Sequence, residues 1–357
     1  MNIGLLGGGQ LGLMMIEAAQ KFDHKVIVLD KDKDCPAAKK CDHFIHASFE
    51  DISALNELAK RSETITVETE NVPIESLFLL SKFLPVRPSA ESVSICQDRI
   101  KEKNFLSSID VPVVKYFEIK NIADFKLIKN TSYPCILKTA QFGYDGRGQI
   151  IVNSKEELAK GFDKLNNVPC VLEKKINLTK ELSIIIVRNE NGIVKNFPIA
   201  ENKHKNGILD TSFMPAKLSD KVSKAVYSIA TRIINSLNYC GVLCVEFFLE
   251  KQNLYVNELA PRPHNSGHQT IEASRCSQFE QQIRVATSME LGSTAIKYPA
   301  MVQNLMGDLW FDDKDGKSIV EPNWDLFKKP GVFVHLYGKK EPRPGRKMGH
   351  VTEIFVG

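Results

Sequence analysis

The chain reads as a mixed α/β and α+β protein, with a Rossmann-like parallel unit first and a small β-rich unit last. Three observations carry that reading. Residues 1–95 alternate short apolar runs with helical segments, the rhythm of a parallel sheet. Residues 138–149, KTAQFGYDGRGQ, form a glycine-rich loop between two strand-like runs. Residues 241–268, GVLCVEFFLEKQNLYVNELAPRPHNSGH, set two glutamates into apolar runs and follow them with a dense polar loop. At 357 residues the chain exceeds one ordinary core, so two or three domains are expected.

Taken in order, Ile3 to Leu6 is a strand, followed by Gly7-Gly8-Gly9-Gln10-Leu11-Gly12 and a helix to about Lys21. Val26 to Leu29 is a second strand ending at Asp30, Ile52 to Lys60 is helical, and Thr64 to Thr69 is extended. Arg87-Pro88-Ser89 opens a helix expected to run on past Asp98-Arg99. The domain boundaries follow as 1–95, 96–290 and 291–357. Short strands at Gly331 to Leu336 and His350 to Val356 flank a basic Pro/Gly-rich stretch.

Glu246 lies between Val245 and Phe247, and Glu258 follows Leu254-Tyr255-Val256. Burying an ionised carboxylate costs about 3 kcal/mol or more unless a cation or strong donors compensate it. A hard divalent cation, which takes oxygen ligands, is the simplest partner for two of them. Both runs read as strands of a hairpin, where side chains alternate between faces. A two-residue turn at Lys251-Gln252 pairs Glu246 with Asn257 and turns Glu258 away. A three-residue turn pairs Glu246 with Glu258 directly. The metal reading therefore calls for an odd-length, bulged turn. Two exposed glutamates on an edge hairpin are the alternative. The metal is favoured because Glu246 shares its face with Val242, Cys244 and Phe248.

The glycine-rich start fits G-x-G-x-x-G after a strand, with Asp30 where a ribose-binding acid would sit. Read alone it points to NAD, but many α/β domains use this turn only as a connection. The 138–149 loop says more. Lys138 stands at its base, Arg147 near its tip, and three glycines let it close over phosphates. It lacks the order of a Walker A loop. Glu173-Lys174-Lys175-Ile176 ends one strand and Glu181 begins the next, an arrangement suited to adenine on backbone groups and ribose on a carboxylate. Arg262, His264, Asn265 and His268 crowd the loop after the second glutamate. Two prolines and Ser266-Gly267 argue against the helix that zinc ligation by His264 and His268 requires. Lys339, Lys340, Arg343, Arg346 and Lys347 form the most basic stretch and suit a monophosphate.

Bulk properties exclude other classes. The 47 basic and 43 acidic residues nearly balance, so nothing demands nucleic acid. No run approaches the roughly 18 apolar residues that span a bilayer. Eight cysteines lie scattered without a C-x-x-C pair, and the N-terminus enters a strand at once; a cytoplasmic protein with reduced thiols is expected.

The motifs GGGQLG, TVETENVP, FGYDGRGQ, VEFF, NELAPRPHNSGH and YGKKEPRPGRKMGH, in this order, resemble the ATP-grasp superfamily. Within it they look most like the N5-carboxyaminoimidazole ribonucleotide synthetase family. The resemblance implies an ATP-grasp fold between a Rossmann-like domain and a small C-terminal domain. It also implies carboxylation of 5-aminoimidazole ribonucleotide with ATP and bicarbonate, through carboxyphosphate, and a homodimer. ATP would contact Arg99, Lys138, the loop of Phe142, Gly143, Tyr144, Asp145, Gly146, Arg147 and Gly148, the segment Glu173, Lys174, Lys175 and Ile176, and Glu181, His204, Asn257 and Glu258. Glu246 and Glu258 would hold Mg²⁺, with Mn²⁺ as a substitute. Lys339 and Arg346 would take the ribonucleotide phosphate, Tyr144 and Arg147 would close over it, and Glu70 would orient its imidazole. Arg262, His264 and Asn265 would face bicarbonate, and Asp145, with His264 second, would be the base. A formate-dependent glycinamide ribonucleotide transformylase is the nearest alternative, and an NAD dehydrogenase a remoter one. Two departures stand out: Ala260 replaces an asparagine common after the second glutamate, and Ala140-Gln141-Phe142 replaces an arginine- and glycine-bearing stretch.

Overall fold

The structure is a computed structural model and describes residues 1–143, 146–312 and 318–356. The N-terminal unit contains β1 (Asn2–Leu6), α1 (Gln10–Gln20), β2 (Lys25–Asp30), β3 (His43–His46), α2 (Ile52–Arg61), β4 (Thr64–Val67) and α3 (Ile74–Ser81). Its four strands pair in parallel in the order β3-β2-β1-β4. Their near-continuous apolar runs suit a sheet covered on both faces.

The helix expected to run from Ser89 past Arg99 is instead two, α4 (Ala90–Cys96) and α5 (Arg99–Ser108). The break comes at Asp98, whose carboxylate takes the N–H groups of Ile100 and Lys101 and caps a new helix. Beyond it come β5 (Tyr116–Ile119), β6 (Cys135–Thr139), β7 (Gln149–Val152), α6 (Lys155–Lys164) and β8 (Cys170–Lys174), whose strands form an antiparallel sheet in the order β5-β8-β6-β7.

The remaining strands are β9 (Lys180–Arg188), β10 (Val194–Asn196), β11 (Ala200–Lys205), β12 (Ile208–Met214), β13 (Gly241–Glu250), β14 (Asn253–Ala260), β15 (Ala300–Met306), β16 (Val332–Leu336) and β17 (Lys347–Ile354). They make one nine-stranded sheet, in which β10 flanks β9 and the main path runs β14-β13-β9-β11-β12-β15-β17-β16. The C-terminal strands thus extend the central sheet, because β15 pairs with β12 from Thr211↔Gln303 to Met214↔Ala300. Helix α7 (Asp220–Ser236) lays Val222, Val226, Ala230 and Ile233 against Leu182, Ile184, Ile186, Leu243 and Val245, the largest apolar cluster. Helices α8 (Thr270–Ala273) and α9 (Gln278–Ala286) close the other side. Among the described residues no helix is long and apolar enough to cross a membrane.

Candidate active site

The two glutamates meet, but not by the route the turn arithmetic implies. The hairpin closes with a two-residue turn, Glu250 pairing with Asn253, and that register alone would turn Glu258 away. It then shifts at the site itself. Phe247 pairs with Val256 and Val245 with Leu259, so Asn257 and Glu258 together oppose the single residue Glu246. This β-bulge in β14 restores both carboxylates to one cleft. The odd-length turn is therefore corrected to an even turn with a bulge at the functional position.

The cleft lies between the antiparallel sheet β5–β8 and the central sheet. It is lined by Arg99, Lys138, Gly143, Gly146, Arg147, Gly148, Glu181, His204, Glu246, Asn257, Glu258, His264 and Asn265, all anticipated from the sequence. Thr139 and Phe248, which were not assigned, line it too, as does Lys347 of the basic stretch. Burial and the neighbouring Glu258 push the Glu246 carboxyl up. Burial also acts on Glu258, but Arg99, 2.7 Å away, outweighs it and holds that carboxyl down. Of the two, Glu246 is therefore the one that titrates near neutrality, while Glu258 stays ionised. Two clustered carboxylates and an amide oxygen, without thiols, are the donor set of a hard cation. Among the described residues there is no cluster of three or more His, Cys, Asp or Glu side chains able to hold a metal ion.

Lys138 reaches the cleft from the base of the glycine-rich loop, its ammonium 3.4 Å from the Asn257 amide oxygen. Glu173 holds it from behind at 2.6 Å, and Lys103 holds Glu173 from the far side at 3.1 Å. Burial would raise the Glu173 carboxyl, yet the two ammonium groups keep it well below the usual carboxylate range. The Glu173 carboxylate is therefore buried and spent on two lysines, which leaves only its backbone for a nucleotide. Lys174 points away, donating to the carbonyls of Ser132 and Tyr133 at 3.0 Å each, and Lys175 and Ile176 lie outside the cleft wall. Glu181 pairs with His204, whose imidazole gains from that carboxylate more than burial removes.

A second cleft shares Gly143, Glu258, His264, Asn265 and Lys347 with the first and reaches the N-terminal unit at Gln10, Glu68 and Glu70. Arg262 forks onto Glu70, with Nη2 3.1 Å from Oε1. Burial, with Arg262 next, depresses the His264 imidazole to about 3, so it is neutral; its Nδ1 meets Ser266 Oγ at 2.8 Å. The Asn265 amide has both polar atoms buried with no partner among the described residues, and it lines both clefts. Lys339 donates to the Lys347 carbonyl at 2.8 Å and Arg346 to that of Glu341 at 2.7 Å. Neither is among the described residues lining the clefts, where Lys347 stands instead. Phe142 lies at the inner edge of the loop, beside Glu70 and Arg262. Tyr144 and Asp145 lie outside the described residues.

The glycine-rich loop at 7–12 has spent its donors internally. Glu68 accepts from Gly9 and Gly12 at 2.8 and 2.9 Å, and Asp30 from Gly8 at 2.7 Å. The NAD reading is thereby corrected: Asp30 caps the loop, and Glu68 occupies the place of a phosphate.

An antiparallel sheet and a central sheet enclosing acid pair, lysine and glycine loop define an ATP-grasp protein. Family models agree: ribonucleotide synthetase preATP-grasp domain over residues 1–97, ATP-grasp domain over 104–279, and phosphoribosylaminoimidazole carboxylase C-terminal domain over 300–355. The chain is 40% identical over 357 residues to an N5-carboxyaminoimidazole ribonucleotide synthase of Staphylococcus aureus strain COL, covering 99% of this chain and 92% of that one. It resembles the crystal structure of the S. aureus N5-carboxyaminoimidazole synthetase complexed with ADP, at TM-score 0.90 and 38% identity over 99% of this chain and 93% of that one. The Aspergillus clavatus synthase in complex with ADP and 5-aminoimidazole ribonucleotide matches at TM-score 0.88 and 28% identity, over 99% and 93% of the two chains. The chain belongs to the N5-carboxyaminoimidazole ribonucleotide synthase family.

Proposed function

We propose that the protein is an ATP-dependent ligase that carboxylates 5-aminoimidazole ribonucleotide to its N5-carboxyamino derivative, consuming bicarbonate and releasing ADP and phosphate in purine biosynthesis. The observation that carries this reading is the bulge that brings Glu246 and Glu258 together beside Lys138, with a second cleft opening from the same rim. Glu246 and Glu258 would hold Mg²⁺, which neutralises charge on the nucleotide phosphates when bound. Lys138, fixed by Glu173, adds a positive charge on the other side of the phosphates. ATP lies in the first cleft and the ribonucleotide in the second. Bicarbonate attacks the γ-phosphate, giving carboxyphosphate and ADP.

Carboxyphosphate hydrolyses readily, so the site must exclude water, and closure of the glycine-rich loop supplies that shield. Asn265, whose amide lines both clefts and has no partner among the described residues, and Arg262 are placed to hold the carboxylate group between them. Transfer to the exocyclic amine requires a base. Asp145 takes that role on the family resemblance, with His264, which burial holds neutral, as the second choice. Lys347, at the rim of both clefts, joins Lys339 and Arg346 as a ligand for the ribonucleotide phosphate. Cytoplasmic location and a homodimeric state belong to the same reading and are carried by the family resemblance alone.

The test is ADP release with ATP, Mg²⁺ and bicarbonate, measured with and without 5-aminoimidazole ribonucleotide. Stimulation by the ribonucleotide, with the carboxylated product formed, is expected. Stimulation by formate with glycinamide ribonucleotide instead, or none by either, would overturn the assignment.

A further inference from the structure

Helix α5 presents a face that its composition conceals. Arg99, Glu102, Lys103 and Leu106 recur at helical spacing, and three of the four are charged. Two of those ionisable side chains are nonetheless buried: Glu102 is 2% exposed and Lys103 fully enclosed. Charged side chains are almost never placed so deep without partners. Both find partners along the bulged strand. The Lys103 ammonium donates to the Asn257 carbonyl at 2.9 Å and lies 3.4 Å from that of Val256. The Glu102 carboxyl accepts the Leu259 N–H at 3.0 Å. Consecutive residues of one helix therefore grip β14 on both sides of the two residues that oppose Glu246. The same ammonium lies 3.1 Å from Glu173, which holds Lys138.

A bulge removes residues from the ladder and leaves their backbone groups in need of other partners. Here those partners come from α5. One ammonium also ties the central sheet, through Asn257, to the antiparallel sheet, through Glu173. These are the two walls of the cleft.

We propose that Lys103 and Glu102 are positioning residues that lock the β14 bulge, aiming Asn257 and Glu258 at the metal–nucleotide complex, while Lys103 fixes Lys138 through Glu173. The inference rests on the functional reading above and adds two residues that reading does not use. Neither lines the nucleotide cleft, so they act through others. Burial, the largest influence on Glu102, raises its carboxyl to about 8, so it stays largely protonated at neutral pH. A neutral amide of the same shape should therefore serve in its place.

The experiment is Mn²⁺ binding in the presence of ADP, followed by electron paramagnetic resonance, on the full chain and on Lys103→Met. Removing the outer partner of a metal ligand typically costs roughly 10- to 100-fold in affinity, and a loss of that size is expected for Lys103→Met. The KM for the ribonucleotide should stay unchanged, whereas a general loosening of the fold would raise it as well. Glu102→Leu and Glu102→Gln carry the test should Lys103→Met fold poorly. The leucine variant should lose Mn²⁺–ADP affinity and the glutamine variant recover most of it. Unaltered Mn²⁺–ADP affinity in Lys103→Met, or in Glu102→Leu, overturns this proposal alone. Absence of Mn²⁺–ADP binding by the unsubstituted chain would sink the functional reading together with it.

Discussion

Two glycine-rich loops in this chain look alike as sequence and differ as chemistry. Residues 7–12 and 138–149 each follow a strand and each could cradle an anion. In the first, the N–H groups of Gly8, Gly9 and Gly12 are taken by Asp30 and Glu68. At Gly7, with φ of 101°, a Cβ would lie 2.4 Å from the Glu68 side chain, so the loop is closed down around its own carboxylate. In the second, the loop base is pinned by the Thr139 N–H to the Gly148 carbonyl at 2.8 Å, and Lys138 is aimed into a cleft that also holds two carboxylates. A loop whose amides are already taken by the chain's own carboxylates has none left to offer a phosphate. The protein's own acids decide which of the two is a site.

The largest effect expected from this contrast is at Glu258. Glu258→Gln removes one of the paired anions and leaves Arg99 without its partner at 2.7 Å. Stimulated ADP release should fall on the order of 100- to 10,000-fold, the kinetic equivalent of breaking a buried ion pair. Near-normal turnover would detach the acid pair from the chemistry. Glu68→Ala probes the other loop. It strips the acceptor from two amides and should lower stability by about 2–3 kcal/mol in denaturant unfolding, while the KM for ATP stays put. A rise in that KM larger than the stability loss explains would make residues 7–12 part of the nucleotide site.

A smaller effect concerns pH. Burial and Glu258 raise the Glu246 carboxyl above its ordinary 4.5, so the metal-free native state holds a proton that the unfolded chain has lost. Its contribution to stability is therefore full below that value and lost as pH rises towards neutrality. Metal-free protein should lose roughly 1–3 kcal/mol across that window, and Glu246→Gln should flatten the profile. Added Mg²⁺ should restore stability at the upper end, because it takes the place of the proton. A flat profile in the unsubstituted protein would contradict the raised Glu246 carboxyl. The smallest effect is at Phe142, which is 77% exposed and adopts a left-handed φ of 59°. A glycine fits that backbone without strain, so Phe142→Gly should raise stability by about 0.5–1 kcal/mol, read as a shifted denaturant midpoint.

What the sequence made legible was whatever breaks a local pattern. Glu246 and Glu258 stood out as acids in apolar strands, and Lys138 as a charge at a loop base. The bulge left no such mark, because the residues around Asn257 and Glu258 read as an ordinary strand and only the competing demands of turn and cleft displace them. Glu68 was hidden because an acid following a strand looks like any surface residue until its distance to Gly9 and Gly12 is known. Glu102 and Lys103 were hidden for the opposite reason. Charges at helical spacing read as a solvated face, yet here they turn inward to serve backbone groups 150 residues downstream, at separations of 153 and 157. In the C-terminal basic stretch the composition pointed to a segment of which Lys347 lines the clefts, while Lys339 and Arg346 donate to the backbone carbonyls of Lys347 and Glu341. The N-terminal parallel sheet was plain because its strands are continuous apolar runs. The joining of the last strands to the central sheet was not, since pairing partners 90 residues apart carry no local signature.

The most direct test of the account is a crystal of the protein with Mn²⁺ and a non-hydrolysable ATP analogue, read by the metal's anomalous signal. The account predicts a peak bonded to oxygens of both Glu246 and Glu258, with the triphosphate on its other side and the Lys138 ammonium against the phosphates. A triphosphate bound in the cleft with its metal touching neither glutamate would contradict it.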